Sequence, residues 1–449
     1  MILPDAAGTA VALLAGRSRP ECAPRDEGAP RVTVLSAMWP DQPDELLGAL
    51  IAEARNRRLP LHLLIADLSG RLAFLDADAL TGLADGSLRI TTIAGSVPPR
   101  LAPLIRYRTE TLWELDGLLG SRDIPFDIFV TRASKPDNVE SPVSVDRPLN
   151  TGASAHFISM VGYGPAAITH ASALGLEMVP GIEYVKTPVI ETDIRTFAYA
   201  PGSASDSGPP APTAAAPTTP TPEQQRIGEL VAALIPAHAT LQLGLGAIPD
   251  ALIAALDPAG SYGVHCGMLP PSALAAITAG VITGAHKERD VGLHVATGMS
   301  PIATNLPGAP MSRPVVHLRA LSATHDPAVL AELHRLWAIN SAFEVDLAGN
   351  VNAEWVGGVR STSGGGQADF ARAAHLHPEG ASVIALPARV PDGTPRIVRA
   401  LDHEPTTPGS DVDIIVTEFG VANLRGCTTA QRAIRIALIS HPADRHLLT

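Results

Sequence analysis

The sequence has little of several things whose abundance would decide its class early. It contains three cysteines, Cys22, Cys266 and Cys427, too few and too scattered for a disulfide framework or a metal-binding knuckle. Acidic residues outnumber basic ones, 45 to 33, for a formal net charge of −12. Such a field repels nucleic acid and anionic membranes. We therefore predict a reducing compartment, no metal and no nucleic-acid partner, and any anionic ligand must find a local basic pocket.

Long apolar runs are missing too. No stretch approaches the roughly 20 apolar residues that a membrane helix needs. The opening MILPDAAGTAVALLAG carries Pro4 and Asp5 before a short apolar stretch and has no basic leader, which disfavours a secretory signal. The chain is 46% hydrophobic and 17% charged, a composition able to bury a core. These features predict a cytoplasmic globular protein without a membrane partner.

A composition change divides the chain. Residues 201–223, PGSASDSGPPAPTAAAPTTPTPE, are a predicted solvated linker between domains at 1–200 and 224–449. On each side, runs such as RVTVLSA, LHLLIAD, PVVHLRAL and VDIIVTE indicate strands, and PDELLGALIAEARNRR and PAVLAELHRLWAI indicate helices. This alternation predicts two tandem α/β domains with mostly parallel sheets.

Glycine turns mark two candidate sites. In ATLQLGLGAIPDALIAAL a strand is predicted to end at Gly244-Leu245-Gly246 and a helix to open near Pro249. The glycines let backbone approach a ligand, although the third glycine of a dinucleotide fingerprint is absent and a structural turn fits equally well. Gly364-Gly365-Gly366 leads into another predicted helix. Its N–H groups could hold a phosphate or an oxyanion, and a surface turn is the alternative.

Two further segments carry reactive side chains. Glu418 in VTEFGVANLRG follows a predicted strand and is either a site carboxylate or a solvated cap. The stretch VHCGMLPPSALAAITAGVITG indicates a strand end, a tight turn at Cys266-Gly267 and a helix. A turn of this kind often displays catalytic side chains.

Together these segments resemble the acetyl-CoA hydrolase/transferase family, class I CoA-transferases that include acetate and 4-hydroxybutyrate CoA-transferases. The motifs LQLGLGAIPDALIAAL, AGVITGAHK, INSAFEVDLAGNVNAE, GGGQADFARAA and VTEFGVANLRG follow the family's order and spacing, whereas the first half carries few family signatures. The resemblance implies CoA-transferase-type α/β domains, an acyl-CoA substrate with coenzyme A as carrier, and a homodimer. It also implies coenzyme A contacts from Gly244, Gly246, Ala247, Ile248, Pro249, Gly365 and Gly366.

The resemblance also implies a mechanism from which this sequence departs. Family members use a glutamate nucleophile that forms an acyl-glutamyl anhydride and then a glutamyl-CoA thioester, which a carboxylate acceptor resolves. That glutamate lies in a His-Ser/Thr-Glu-Met pattern, which here reads His265-Cys266-Gly267-Met268. Gly267 therefore occupies the nucleophile position and can form no anhydride.

A second departure accompanies the first. The family's asparagine before an acidic residue and proline, which orients the reacting groups, falls on His325 in SATHDPAVL. The glycine that supplies an oxyanion-hole N–H matches Gly366, and the Gly244–Pro249 turn and Glu418 are kept. The sequence thus predicts a retained coenzyme A pocket with altered covalent machinery.

Two hypotheses replace the glutamate. In one, Cys266 is a substitute nucleophile with His265 or His325 as its base; in the alternative, Cys266 is buried, inert and faces away. In the other hypothesis, His325 is a general base on a bound acceptor, or orients the substrate, while Gly366 stabilises the oxyanion. A purely structural His325 is the alternative there.

Three functions follow from these hypotheses. The leading one is an acyl-CoA-dependent enzyme that transfers the acyl group to a non-carboxylate acceptor or to water without a glutamyl-CoA intermediate. The second is a conventional CoA-transferase whose displaced nucleophile is Glu344, Glu354 or Glu418. The third is a non-catalytic CoA-binding protein. Lys287 and Arg360 are candidates for the coenzyme A phosphates and are equally consistent with solvated surface.

Overall fold

The computed structural model of the protein describes residues 1–17, 31–66, 68, 72–134, 155–179, 185–190, 194–200, 219–299 and 316–448. The chain divides into two compact units. The first comprises residues 1–110, 114–212 and 318–322, and the second comprises 111–113, 213–317 and 323–449. Of the predicted linker, residues 201–218 lie outside the described residues. The last residues of the predicted linker, 221–223, instead begin a helix, because Thr221 and Gln224 form a reciprocal capping box.

A parallel sheet forms the first unit. Its order is β10-β7-β5-β1-β2-β3-β4, and every neighbouring pair is parallel. The predicted strands RVTVLSA and LHLLIAD are confirmed, and both are buried along their whole length, as expected for strands covered on both faces. The strands of this unit in the described residues are β1 Val32–Ser36, β2 Leu61–Ile65, β3 Leu88–Thr92, β4 Arg106–Tyr107, β5 Ile128–Ala133, β6 Ala155–His156, β7 Ala173–Met178, β8 Val185–Lys186, β9 Val189–Ile190 and β10 Arg195–Tyr199.

Helices cover this sheet. Leu46, Leu50 and Ile51 on α2 pack into a core with Leu63 and Ile90 of the strands, and the first acidic residues of α2 complement its dipole. The helices are α1 Ala6–Leu13, α2 Asp44–Asn56, α3 Ala77–Asp85, α4 Leu112–Gly120, whose first two residues fall in the second unit, and α5 Gly164–His170.

The second unit has a larger sheet of the same kind. Its order is β23-β22-β20-β15-β11-β12-β13-β14, with parallel pairing from β22 to β13 and an antiparallel edge strand β23. The α/β fold class with mostly parallel sheets is therefore confirmed. The main strands are β11 Thr240–Leu243, β12 Gly263–Leu269, β13 His294–Met299, β14 Val316–Leu318, β15 Leu336–Asn340, β20 Ala381–Ala385, β22 Ile414–Thr417 and β23 Gly420–Asn423.

Shorter strands and the helices complete the second unit. The short strands are β16 Glu344–Asp346, β17 Val351–Asn352, β18 Trp355–Val356, β19 Val359–Arg360 and β21 Ile397–Val398. The helices are α6 Pro222–Ala232, α7 Ala247–Ala255, α8 Pro271–Thr278, α9 Leu321–Thr324, α10 Pro327–Leu330, α11 Gln367–Leu376, α12 Thr429–Leu438 and α13 Arg445–Leu448. None of the helices in the described part of the chain is long and apolar enough to cross a bilayer.

Two sequence-based predictions are wrong in this unit. The pattern PAVLAELHRLWAI predicted one helix, but the helix ends at Leu330 and Leu336–Asn340 is a strand buried throughout. A short apolar run buried on both faces has no period that separates strand from helix. The turn predicted at Cys266-Gly267 is also displaced. Strand β12 continues to Leu269, and Pro270 and Pro271 then end it and open α8.

Candidate active site

Strand β12 carries Gly267, the residue predicted from the sequence to stand at the nucleophile position. Successive side chains of a strand point to opposite faces, so His265 and Gly267 share one face and Cys266 lies on the other. The neighbouring strand β13 pairs Ala296 with Cys266 and Gly298 with Met268. Thr297 is therefore level with Gly267. The glycine leaves a gap on this face, and the neighbouring strand supplies a hydroxyl beside it.

His325 fills the gap next to Gly267. The residue follows the single-turn helix α9 and is fully buried. The backbone that follows His325 is fixed because Asp326 is the N-cap of α10 and accepts a hydrogen bond from the Ala328 N–H at 2.8 Å. Nδ1 of His325 lies 2.8 Å from the Thr324 hydroxyl, and the ring meets Phe370 edge to face with centroids 4.7 Å apart. The imidazole is thus held from two sides.

The other ring nitrogen, Nε2, lies between two glycines. A methyl group at position 366 would come within 2.4 Å of Nε2, and one at position 267 within 3.4 Å. Nε2 is buried and has no hydrogen-bond partner in the described part of the chain. A buried nitrogen without a partner is costly unless a ligand completes it. The structure therefore brings together His325, Gly267 and Gly366, three of the predicted site residues.

Burial keeps this imidazole neutral. Loss of hydration lowers the pKa of His325 to about 3, and the neighbouring His265 lowers it further in the same direction. At neutral pH the ring is uncharged, so one nitrogen has a free lone pair. Such a nitrogen cannot hold an anion by charge, and it is a weak base in the ligand-free protein, so proton transfer to it requires that a bound substrate or the developing oxyanion raise this pKa.

The turn at Gly364-Gly365-Gly366 opens the helix predicted there, which is confirmed as α11. Gly365 has a φ of 59°, a conformation that favours glycine, and Gly366 is the N-cap residue without a side-chain cap. The Gly365 carbonyl accepts from the Leu112 N–H at 3.1 Å. The first N–H groups of a helix have no partner within the helix. They can therefore stabilise a developing oxyanion beside His325.

Cys266 and His265 are placed differently. Cys266 is fully buried on the face of β12 opposite to Gly267, and burial raises the pKa of its thiol to about 12, against a smaller opposing effect of Lys287. A thiolate is the reactive form of cysteine. Nε2 of His265 lies at hydrogen-bond distance, 3.0 Å, from the Thr324 carbonyl oxygen. The structure thus does not bring the thiol to the gap, and His265 supports Thr324.

The first glycine turn lies at the same edge of the sheet. Strand β11 pairs in parallel with β12, Thr240 with Gly263 and Leu241 with Val264, and ends at Leu243, so the Gly244 turn leaves the sheet at its carboxyl edge. Helix α7 begins at Ala247, two residues before the predicted Pro249, because Gly246 at φ 123° serves as the N-cap. A methyl group on either Gly244 or Gly246 would meet no atom within 4 Å. The turn is therefore open to a ligand, and Ile248 and Pro249 are buried behind it.

The candidate replacement carboxylates have structural partners. Glu418 follows β22 as predicted and accepts from the Ala388 N–H at 2.9 Å. Glu354 pairs with Arg360 and accepts from the Thr406 hydroxyl at 3.0 Å.

Glu344 accepts from the Asn352 amide at 2.8 Å. Lys287 is buried, with Nζ donating to the Val264 and Leu293 carbonyls. These contacts tie each group to nearby backbone or side chains. No group of three or more His, Cys, Asp or Glu side chains in the described ranges is placed to hold a metal ion.

Sequence reasoning missed Thr297 and Thr324. Both are buried, and their hydroxyls contact each other and the Nδ1 side of His325. The available signal was weak. Thr324 directly precedes His325 in SATHDP, and Thr297 is a polar residue in the middle of the strand HVATGM, whose other polar residue is His294 at its start.

Residues 309–449 match the family model of the acetyl-CoA hydrolase/transferase C-terminal domain. This part of the chain is similar to that domain, which confirms the resemblance drawn from the sequence motifs. The matched residues include His325, Gly366 and Glu418, whereas Gly267 lies before them.

Curated relatives and solved structures extend the comparison. The chain is 36% identical over 228 residues to the 4-hydroxybutyrate coenzyme A transferase of Clostridium kluyveri, covering 50% of this chain and 53% of that protein. It is 33% identical over 235 residues to the succinyl-CoA:cyclohexane-1-carboxylate CoA transferase of Geobacter metallireducens, covering 51% and 53%. The match thus spans about half the length of these relatives. The crystal structure of RipA from Yersinia pestis aligns with a TM-score of 0.77 and 22% identity, covering 100% of this chain and 96% of that one, which shows a shared fold.

Proposed function

We propose that this protein is an acyl-CoA-dependent enzyme that transfers the acyl group to a non-carboxylate acceptor, or to water, without a glutamyl-CoA intermediate. One observation carries the proposal. The unpartnered Nε2 of His325 lies against Gly267, where the family resemblance expects a nucleophilic glutamate, and against Gly366, the expected oxyanion-hole glycine. The names of the two relatives described above, both CoA transferases, support a CoA thioester as substrate.

The chemistry is general-base catalysis at one atom. An acceptor X–H gives its proton to Nε2 of His325 while X attacks the thioester carbonyl, and the N–H groups at Gly366 stabilise the oxyanion. When the carbon–sulfur bond breaks, the CoA sulfur takes the proton from Nε2. Acyl–S–CoA and HX thus become acyl–X and HS–CoA, and the imidazole returns to its neutral state.

The proposed base, a neutral imidazole, restricts which chemical class of acceptor it can activate. A carboxylate acceptor carries no proton at neutral pH, so a neutral imidazole cannot activate it. An alcohol, amine, thiol or water has a proton to give. Coenzyme A would lie along the turns at Gly244–Pro249 and Gly365–Gly366, whose open backbone suits a pyrophosphate or a pantetheine amide.

The wider proposal concerns setting and assembly. We extend it to a cytoplasmic homodimer that acts without a metal ion and binds neither nucleic acid nor membrane. The net charge of −12 supports the exclusion of polyanionic partners. The family resemblance supports the dimer. The domain limits 1–200 and 224–449 stay a prediction.

The test is turnover with a panel of acyl-CoAs, with free CoA detected by a thiol reagent and the protein followed by intact mass. We expect CoA release without an acyl or CoA adduct. His325→Ala should reduce release by about 10²- to 10⁴-fold, the usual contribution of a general base, and Cys266→Ala should change it less than about twofold, since the thiol faces away.

Other outcomes point to the other candidates. An acyl mass that disappears in Cys266→Ala would identify the thiol as nucleophile. A glutamyl-CoA adduct would overturn the proposal in favour of a conventional CoA-transferase. Tight CoA binding by calorimetry with no turnover of any thioester would indicate a CoA-binding protein.

A further inference from the structure

Two threonine hydroxyls lie behind the imidazole of His325. Thr324 Oγ1 is 2.8 Å from Nδ1, and Thr297 Oγ1 contacts Thr324 Oγ1 and lies 3.5 Å from Nδ1. All three side chains are buried. In a buried network each hydrogen must find an acceptor. The hydroxyl pair therefore bears on which ring nitrogen of His325 carries the hydrogen.

Backbone structure fixes both hydroxyls. Thr297 belongs to β13, whose register with β12 places it beside Gly267. Thr324 is the last residue of α9, and its carbonyl oxygen lies 3.0 Å from Nε2 of His265. The Thr324 backbone is thus tied to β12 through His265, which leaves its hydroxyl directed to Nδ1 of His325.

The glycine side of the ring distinguishes the tautomers. A methyl group at position 366 would be 2.4 Å from Nε2, so a Cα hydrogen of Gly366 points at this nitrogen. In the ligand-free protein a bare Nε2 can accept this weak C–H contact, which a bound acceptor's proton would have to displace. An Nε2–H would instead face that hydrogen with no acceptor in the described residues and would remain a buried unsatisfied donor.

The hydroxyl distances fit either tautomer, so the contact with Gly366 is the observation that favours a bare Nε2. When Nδ1 carries the hydrogen, it donates to Thr324 Oγ1, and the Thr324 hydroxyl donates onward to Thr297 Oγ1. Both contacts are within hydrogen-bond distance. In this arrangement the hydrogen bonds start at Nδ1–H, pass through the Thr324 hydroxyl and end at Thr297 Oγ1.

We propose that Thr324 and Thr297 are positioning residues that hold His325 as the Nδ1–H tautomer and leave Nε2 bare for the acceptor's proton. The inference deepens the proposed function and rests on it for the role of Nε2. During the reaction Nε2 gains the acceptor's proton while Nδ1–H continues to donate to Thr324, and CoA sulfur then removes the proton from Nε2. The opposite tautomer has no lone pair on Nε2 and cannot act as the base.

The first measurement is the tautomer in the free protein. ¹⁵N-histidine labelling with long-range ¹H–¹⁵N NMR separates a protonated from a bare ring nitrogen, and the His325→Asn spectrum identifies the signals. We expect Nδ1 protonated and Nε2 bare in the wild type. In Thr324→Val, which removes the hydroxyl but keeps the carbonyl that His265 contacts, the two signals should converge toward a mixture. Thr324→Ser should restore the wild-type pattern.

The second measurement is turnover in the same variants. We expect Thr324→Val to lower kcat by about 10-fold with KM for the acyl-CoA within about twofold, because orientation of the base affects the chemical step. Thr324→Ser should recover kcat to within about threefold. Thr297→Val should act in the same direction and less than additively with Thr324→Val, since both hydroxyls serve one nitrogen.

The two measurements separate this inference from the proposed function. An Nε2–H tautomer in the wild type, or a tautomer unchanged in Thr324→Val, overturns the inference whatever the turnover. Turnover that survives His325→Ala overturns the proposed function while the tautomer assignment stands. A loss of folding in Thr324→Val would show in the NMR spectrum, and the Thr324→Ser comparison would then decide.

Discussion

The two faces of strand β12 show how differently one short stretch can treat reactive residues. On one face the Cys266 thiol is buried and its pKa is raised to about 12. On the other, Gly267 has no side chain and the gap holds the unpartnered Nε2 of His325. Cys266, which looks reactive in the sequence, therefore lies on the face that we expect to be unreactive. The proposed base on the Gly267 face is therefore a side chain from a separate segment, His325.

The largest expected effect comes from reversing the exchange. Gly267→Glu combined with His325→Asn rebuilds the pair that the family resemblance expects, and the shorter asparagine side chain leaves room for the new carboxylate. We expect a CoA adduct on the double variant after incubation with an acyl-CoA, seen by intact mass, and CoA transfer to a carboxylate acceptor. Gly267→Glu alone should give no adduct, because its Cβ would already be in van der Waals contact with Nε2 at 3.4 Å and the rest of the side chain would have to displace the ring. An adduct in that single variant would contradict the steric argument.

A methyl group at position 366 should disrupt the contacts of His325 on the Gly267 face of β12 and leave the Cys266 face unchanged. Gly366→Ala places a carbon 2.4 Å from Nε2 of His325, so the imidazole or the turn must move. We expect turnover to fall by about 100-fold, as for misplacement of a catalytic group, and unfolding free energy to fall by about 1–3 kcal/mol. Urea unfolding and CoA release measure the two effects. Gly117→Ala, on exposed helix with nothing within 4 Å, is the matched control and should be neutral or slightly stabilising.

Thiol alkylation tests whether Cys266, on the other face of β12, is unreactive in the folded protein. In a Cys22→Ser background at pH 8, iodoacetamide should modify the partly exposed Cys427 at least about 10-fold faster than Cys266, whose buried thiol has a raised pKa. Peptide mass spectrometry gives both rates. In urea the difference should vanish. Equal rates in the folded protein would mean that the Cys266 face opens to solvent.

The smallest effect is a pH dependence of stability from the active face. The folded-state pKa of His325 is about 3, below the ordinary value near 6.5. Between these values the unfolded chain binds the proton and the folded protein does not, so stability rises with pH across this window and is lost as pH falls. We expect the unfolding free energy of the wild type to fall below pH 6.5 more steeply than that of His325→Leu, by at most about 1.4 kcal/mol per unit. Urea titrations at pH 5 to 7 test this, and equal slopes would mean that the ring is hydrated.

Much of the fold and part of the candidate site could be predicted from the sequence. The strands at Val32–Ser36, Leu61–Ile65 and Ile414–Thr417 were predicted because buried parallel strands are continuous apolar runs. The glycine-rich start of α11 and the departures at Gly267 and His325 were visible as motifs. Their contact was not, because positions 267 and 325 lie on separate elements and only the tertiary packing of His325 against β12 joins them.

What the sequence hid has specific physical causes. The Leu336–Asn340 strand lacked a period, and the end of β12 was set by Pro270 and Pro271, not by Gly267. Thr297 and Thr324 carried no motif, since a hydroxyl gains a role only when the tertiary structure places it against a histidine. The direction of Cys266 depended on where β12 ended.

The contact of the His325 imidazole with Gly267 and Gly366 also links what these three positions can accept. A methyl group at position 366 would lie 2.4 Å from Nε2, and one at position 267 would be in van der Waals contact with it at 3.4 Å. A larger residue at either glycine position is therefore expected to require a smaller one at position 325. Random mutagenesis of this protein should accordingly recover changes at these positions together more readily than one at a time.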